Sequence, residues 1–321
     1  MVLIWIAGMG FFSRSKKKDG LLAIALHGEG VFAARVKRQA EGMPRVTLAS
    51  FHPAEKSTGP DMLEKTGKDL HAGSFRCTTI LGAGEYQLLS VESPNVPADE
   101  LRTAVRWRLK DMLDFPADQA SIDVLDIPTD KAQGRSQSLF AVAARNSLIE
   151  TRQNRFVDAG VPLAVIDIPE MAQRNISALV EPEGRGVAML SFSNEGGLLT
   201  VTYNGELYLA RRIDVTLEQL LDSDHDRKHV CYDKITLELQ RSLDHFDRQY
   251  NFINVSKLVL APTGASGLDE YLSSNLYTKV ESLDLATVLD LGSVPELAAL
   301  AQQQRFFLTL GAALRQEEAA S

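Results

Sequence analysis

Two stretches of the chain, residues 21–36 (LLAIALHGEGVFAARV) and 187–203 (VAMLSFSNEGGLLTVTY), are built alike. Each is an apolar strand, a short turn containing glycine and a second apolar strand, the pattern of a buried hairpin. One hairpin stands near the start of the chain and the other opens its second half. Strands followed by helices recur after each, which predicts an α/β protein of two lobes, a duplicated fold that clasps something in a central cleft. A chain of 321 residues is long enough for two separate cores.

The bulk composition excludes several classes. Hydrophobic residues make up 45% and charged residues 24%, ordinary for a soluble globular protein. A formal net charge of −8 argues against a broad nucleic-acid surface, which needs a basic face. Cys77 and Cys231 lie far apart and form no CxxC or Cys/His cluster, which suits a reducing cytoplasm and gives no structural zinc. Residues 2–12 are mostly apolar and are followed by Arg14, Lys16, Lys17 and Lys18. That segment is too short to span a bilayer, and a secretory signal would carry its basic residues first. The expectation is a translation start at Met9 and a mobile arm over residues 1–19. The other reading is a weak membrane-surface contact, with Phe11 and Phe12 dipping in and the lysines meeting anionic lipid. No other apolar run is long enough to cross a membrane, so a soluble, cytoplasmic protein is expected.

After the first hairpin, residues 45–51 read as a strand, 59–71 as a helix, and 75–81 and 87–91 as strands. The breaker Ser93-Pro94-Asn95-Val96-Pro97 precedes a helix over 98–113, with Leu101, Ala104, Val105, Leu109, Met112 and Leu113 on one stripe. Asp114-Phe115-Pro116 ends it. Strands over 122–127 and 139–143, a helix over 146–159 stopped at Gly160, a strand over 163–168 and a helix over 169–180 complete the first half. The second half reads as strands 187–193, 198–203 and 206–214, with Asn204-Gly205 as a strong hairpin signal. A helix over 235–250, a strand over 257–261 and helices over 267–275 and 305–315 follow.

Several motifs bear on chemistry. Asp222-Ser-Asp224-His-Asp226 has the spacing of a calcium loop, but Arg227 stands where that loop needs glycine, so a solvated acidic loop is expected. His225 and His229 have the i,i+4 spacing of a helical metal pair, yet no third ligand is evident in the sequence, and surface histidines are expected. Gly82-Ala83-Gly84 lacks the rest of a dinucleotide fingerprint and reads as a hairpin turn. Asp123 and Asp126 read as strand-surface and turn residues. No nucleophile–base arrangement can be defended, so no catalytic residue and no metal ligand is assigned. Trp107 lies about 240° round its helix from Leu101, off the apolar stripe, with Arg106 and Arg108 beside it. It either packs against a neighbouring sheet, as most tryptophans do, or meets a partner peptide through an aromatic and arginine surface.

In order along the chain stand FFSRSKKK, AVRWRLKDMLDFP, LFAVAARNSLIETRQNRFVDAGVPLAVIDIPEMAQ, NGELYLARRI, ITLELQRSLDHF, KLVLAPTGASGLDEYL and LTLGAALR. As an ordered set covering nearly the whole chain, these resemble the PilM/MshI group, actin-like cytoplasmic proteins of type IV pilus assembly, the MSHA-type members most closely. The resemblance implies an FtsA-like actin fold, an α/β ribonuclease-H-like architecture with an extra small subdomain. It places a first lobe at 20–93 and 166–183, the inserted subdomain at 94–165, and a second lobe at 184–321, whose smaller part runs over roughly 215–255.

In such proteins the first turn carries an Asp, a Gly and a Lys where this chain has Ala25, His27 and Phe32. The second turn carries Asp–x–Gly where this chain has Ser191 and Ser193. The adenosine-side loop carries consecutive glycines where this chain reads Ala261-Pro262-Thr263-Gly264-Ala265. Those carboxylates orient Mg²⁺ and water, and those glycines let amides approach phosphate. The nucleotide site is therefore expected to be degenerate and the protein not to be an enzyme. Weak nucleotide binding through the backbone at Gly28, Gly30, Ser191, Ser193, Gly196, Gly197 and Gly264 is the residual expectation, with no required cofactor beyond weak ATP and Mg²⁺. The resemblance further implies a groove that receives the short cytoplasmic tail of a bitopic, PilN-like inner-membrane protein, and with it peripheral attachment at the inner membrane. Arg106, Trp107 and Arg108 are the candidate contacts, and an extended tail would add to a sheet edge. Two rivals are an actin/Hsp70-superfamily ATPase with an unconventional site and an L-type protein of type II secretion. The L-type proteins continue into a membrane span, and with the sequence ending at Ser321 none is expected here. Homo-oligomerisation is left open by the sequence.

Overall fold

The computed structural model describes residues 20–54, 61–128 and 137–316. The arm over 1–19, with its membrane-contact reading, lies outside these, as does the start of the helix expected over 59–71. By internal contacts the chain divides into two compact units, Met1–Ala33 with Ser50–Pro169, and Ala34–Ala49 with Glu170–Ser321.

The first five-stranded sheet contains β1 (Leu21–His27), β2 (Gly30–Lys37), β3 (Arg45–Pro53), β4 (Arg76–Ile80) and, later in the chain, β8 (Leu163–Asp167), in the order β3-β2-β1-β4-β8. β1 runs parallel to β4, with Leu21 opposite Arg76, and β4 runs parallel to β8. The run of buried residues Leu21–Ala25 follows from that central place, since a strand covered on both faces needs apolar side chains at every position. The short helix α1 (Met62–Asp69) begins at Asp61, whose side chain accepts from the Leu63 amide and from the Arg155 guanidinium.

The first unit holds a three-stranded antiparallel sheet of β5 (Tyr86–Glu92), β6 (Ala120–Asp126) and β7 (Ser138–Arg145), ordered β5-β7-β6. Helix α2 (Leu101–Leu109) lays Val105 and Leu109 into a core with Val91, Phe115 and Leu139. β5 belongs to this sheet, so the sheet begins at Tyr86, ahead of the Pro94 boundary. Gly82–Gly84 is a turn closed by the Glu85 amide on the Gly82 carbonyl, but it is not a hairpin: β4 and β5, on either side of it, belong to different sheets. Glu85 fastens that turn, accepting from the Gly82 amide and, through its two carboxylate oxygens at 2.6 and 2.7 Å, from Nη2 of Arg152. Helix α3 (Asn146–Asp158) ends before Gly160, whose φ is +67°.

In the second unit the sheet order is β11-β10-β9-β12-β13, from β9 (Gly186–Ser193), β10 (Gly196–Tyr203), β11 (Glu206–Ile213), β12 (Val255–Leu260) and β13 (Val280–Ser282). β9 and β11 flank β10 antiparallel, while β12 runs parallel to both β9 and β13. Three consecutive strands followed by two later ones, in the same order in both sheets, is the duplicated α/β architecture that the paired hairpins predict. Helix α4 (Pro169–Val180) packs against α8 (Leu300–Ala313) so closely that a methyl at Gly311 would stand 2.2 Å from the Ala172 carbonyl oxygen.

The other helices of this unit are α5 (Leu217–Leu220), α6 (His225–Gln249) and α7 (Leu268–Asn275). α6 starts ten residues before the helix expected over 235–250. The reason is local: Asp224 caps it, accepting from the amides of Asp226 and Arg227, and the polar first turns need no apolar stripe. The acidic segment is thus in part a helix start and not wholly a loop. α8 begins at Leu300 and not at Arg305. The three-residue β13 escaped the sequence pattern altogether, being too short to show alternation.

Candidate functional site

The second hairpin holds four of the residues expected at the nucleotide site; Ser191, Gly196 and Gly197 are buried, and Ser193 is half-buried in its own turn. Ser191, 7% exposed, donates its hydroxyl to Oε1 of Gln173 on α4. Gln173 is fully buried, and its amide nitrogen donates to the carbonyls of Met189 and Leu198 and to Thr200 Oγ1. Ser193 Oγ accepts from the Glu195 amide and so closes its own turn. A methyl at Gly197 would stand 2.7 Å from the Phe192 ring, and one at Gly196 3.0 Å from the Ile213 carbonyl oxygen. These glycines are required by packing within the sheet. Gly264, with φ of +71°, lies in the loop between β12 and α7, beyond Ala261, whose amide bonds the Leu190 carbonyl of β9. The loop keeps its shape through Thr263 Oγ1, which accepts from the Ala265 amide.

In the first unit, Ala25 is 2% exposed within β1 and Phe32 is 1% exposed within β2. The Phe32 ring lies 4.5 Å from Phe51 and meets His27 edge-on at 5.3 Å. An aromatic side chain held this way cannot neutralise phosphate, and an alanine cannot coordinate Mg²⁺. Gly30 is needed where a methyl would meet the His52 carbonyl oxygen at 2.2 Å. A methyl at Gly28 would meet nothing within 4 Å, so this glycine of the turn is open.

Sequence reasoning missed a cavity of about 410 Å³ in the second unit. The first turns of α6 contribute His225, Lys228, His229 and Tyr232, and α7 contributes Glu270 and Tyr271. Gly267, with φ of +85°, opens α7 without a side-chain cap and also faces this space. Tyr271 donates its hydroxyl to Asp233, a bond that raises the phenol above its usual range, and burial raises Tyr232 as well. The sequence signal was the histidine pair; the rest arrives from a loop and helix about forty residues further on, which no local pattern joins to it. Among the described residues no three His, Cys, Asp or Glu side chains gather as a metal centre.

The partner-facing candidates sit on α2. Trp107 is 72% exposed, so it does not pack against the sheet, and the packing reading is overturned. Arg106 donates to the Ala117 carbonyl at 3.0 Å, and Arg108 pairs with Glu92 at 3.6 Å. Asp123, expected on the strand surface, is 2% exposed and paired with Arg102 at 2.9 Å. Asp126 is exposed as expected. Among the described residues no helix is long and apolar enough to cross a membrane.

No family model matches the chain, and no curated protein matches it either. Solved structures do. A chain of a PilM–PilN type IV pilus biogenesis complex superposes with a TM-score of 0.67 at 18% identity, covering 92% of this chain and 98% of that one. The cytoplasmic domain of EpsL, an inner-membrane component of the type II secretion system of Vibrio cholerae, gives a TM-score of 0.42 at 14% identity over 63% of this chain and 75% of its own. A Bacteroides thetaiotaomicron protein with an actin-like ATPase fold and unknown function gives 0.47 at 10% identity over 90% and 100%. The chain has an actin-like fold, shared nearly end to end with the chain of the PilM–PilN complex.

Proposed function

We propose that this protein is a non-catalytic scaffold of the inner-membrane assembly platform of a type IV pilus, of the MSHA type. In this reading it lies at the cytoplasmic face of the membrane and binds the short N-terminal tail of a bitopic, PilN-like protein. The observation that carries the reading is the fold shared with the PilM–PilN complex chain over 92% of this chain. The chemistry of the loops supports it. Phosphoryl transfer rests on positioned carboxylates and cations, and Ala25, Phe32 and Ser191 are committed to the protein's own interior. Trp107, exposed between Arg106 and Arg108, supplies the residue types that dominate peptide interfaces.

Two measurements test this. A peptide copying the cytoplasmic tail of a pilus-platform membrane protein should bind the full chain, and Trp107→Ala should weaken that binding at least tenfold without changing the far-UV circular dichroism. Incubation with ATP and Mg²⁺ should release no phosphate above a heat-inactivated control. Turnover abolished by substitution in the Gly28 or Gly264 turns would instead establish the ATPase reading, and unaltered tail binding by Trp107→Ala would remove α2 from the interface.

A further inference from the structure

The histidine pair on α6 remains outside the proposed function. His225 and His229 are one helical turn apart, both solvent-exposed, and both face the cavity beside α7. Their ring centroids are 4.6 Å apart with an interplanar angle of 44°. For two imidazoles bound to one ion at about 2.0–2.1 Å, with a ligand–metal–ligand angle of about 90–110°, the centroids fall about 4.5–5.2 Å apart. The observed spacing lies inside that window before any ion is bound. We propose that His225 and His229 form a two-point chelate for a borderline divalent transition-metal ion, of the Zn²⁺, Ni²⁺ or Cu²⁺ class, at the wall of this cavity.

The surroundings favour a cation that imidazole selects over one that carboxylates select. His229 meets the Tyr271 ring edge-on at 5.5 Å, and Tyr271 is itself anchored to Asp233, so one of the two rings is braced from a second helix. Glu270 lines the same cavity from the first turn of α7 and is the carboxylate that a bound cation would draw. The three donors are not gathered in the free protein, so water completes the coordination at first. Lys228 also lines the cavity and opposes the cation, which sets the site well short of a structural zinc centre.

The test is calorimetric titration of the tag-free full chain, carrying Cys231→Ser to remove the thiol on the same helix, with Ni²⁺, Zn²⁺ and Mg²⁺ in turn. The expected result is one site for Ni²⁺ and for Zn²⁺ and none for Mg²⁺. His225→Gln and His229→Gln should each weaken binding at least tenfold, and Lys228→Gln should tighten it several-fold, with unchanged circular dichroism in all three. Absence of Ni²⁺ binding, equal binding of Mg²⁺, or one-site binding that survives both histidine substitutions would overturn the proposal. Since both histidines are exposed, their loss should leave the fold intact.

Discussion

Ser191 of β9 donates its hydroxyl to the side-chain oxygen of Gln173 of α4 at 2.5 Å. Through that bond the strand that would present a metal-binding carboxylate is instead fastened to a helix. Gln173 is fully used: its oxygen accepts from Ser191 and its nitrogen reaches Met189, Leu198 and Thr200. A buried amide satisfied on every side specifies one packing of helix on sheet.

Ser191→Ala should therefore destabilise the protein by about 1–3 kcal/mol, because it leaves the buried Gln173 oxygen without a donor. Ser191→Asp should cost more, since it sets a carboxylate against that oxygen, and should bring no ATP turnover. Urea midpoints of the two variants check both statements. A change below about 0.5 kcal/mol for Ser191→Ala would mean that the oxygen finds another donor.

At Gly311 a methyl would run into the Ala172 backbone of α4, and Asn175 Nδ2 donates to the Gly311 carbonyl at 2.9 Å. Gly311→Ala should destabilise by about 1–3 kcal/mol despite the better helix propensity of alanine, because the methyl meets backbone and not a yielding side-chain end. Thermal or urea unfolding would read the loss, and a stabilised variant would refute the contact.

Tyr208 is buried among Tyr203, Tyr250 and Phe252, and burial pushes its phenol up to about 12. The unfolded chain ionises it near 10. Its neutral form is thus favoured by folding: this contribution is whole below about pH 10 and is lost as the pH rises from 10 towards 12. Tyr208→Phe should flatten the alkaline fall in stability between about pH 10 and 12, as followed by urea midpoints at fixed salt. Tyr250, shifted upward by the same burial, should retain part of that fall.

Trp107→Ala should change stability by no more than about 0.5 kcal/mol, since 72% of the residue is already in water. A loss of 2 kcal/mol or so, of the size expected for a buried aromatic, would show that the indole is packed and return it to a structural role.

Most elements were legible in the sequence, and the reasons are local. The two apolar hairpins, the Asn204-Gly205 turn and the Pro169 helix start all carry their own signal, and each lies within a residue or two of its expected place. What escaped was set by distant parts of the chain or by residues without pattern. The first turn of α6 is polar and starts at the Asp224 cap, and β13 is defined only by its pairing to β12. Asp123 reads as a surface strand residue until Arg102, twenty-one positions earlier, is found beside it.

The sequence alone determined that the chain repeats a hairpin-led α/β unit, and it determined which residue types stand in the turns: Ala25 and Phe32 bring no side-chain group that can hold Mg²⁺ or phosphate, and Ser191 brings a hydroxyl and not a carboxylate. Only the tertiary structure decided what those residues do instead. Ser191 answers Gln173, Phe32 stacks on Phe51, Gly30 and Gly197 make room for neighbouring strands, and Trp107 is left in water. The physical reason is the range of the forces involved. Hairpin and helix patterns follow from backbone geometry over a few residues, whereas burial and hydrogen-bond partnership join side chains that the chain brings together from far apart.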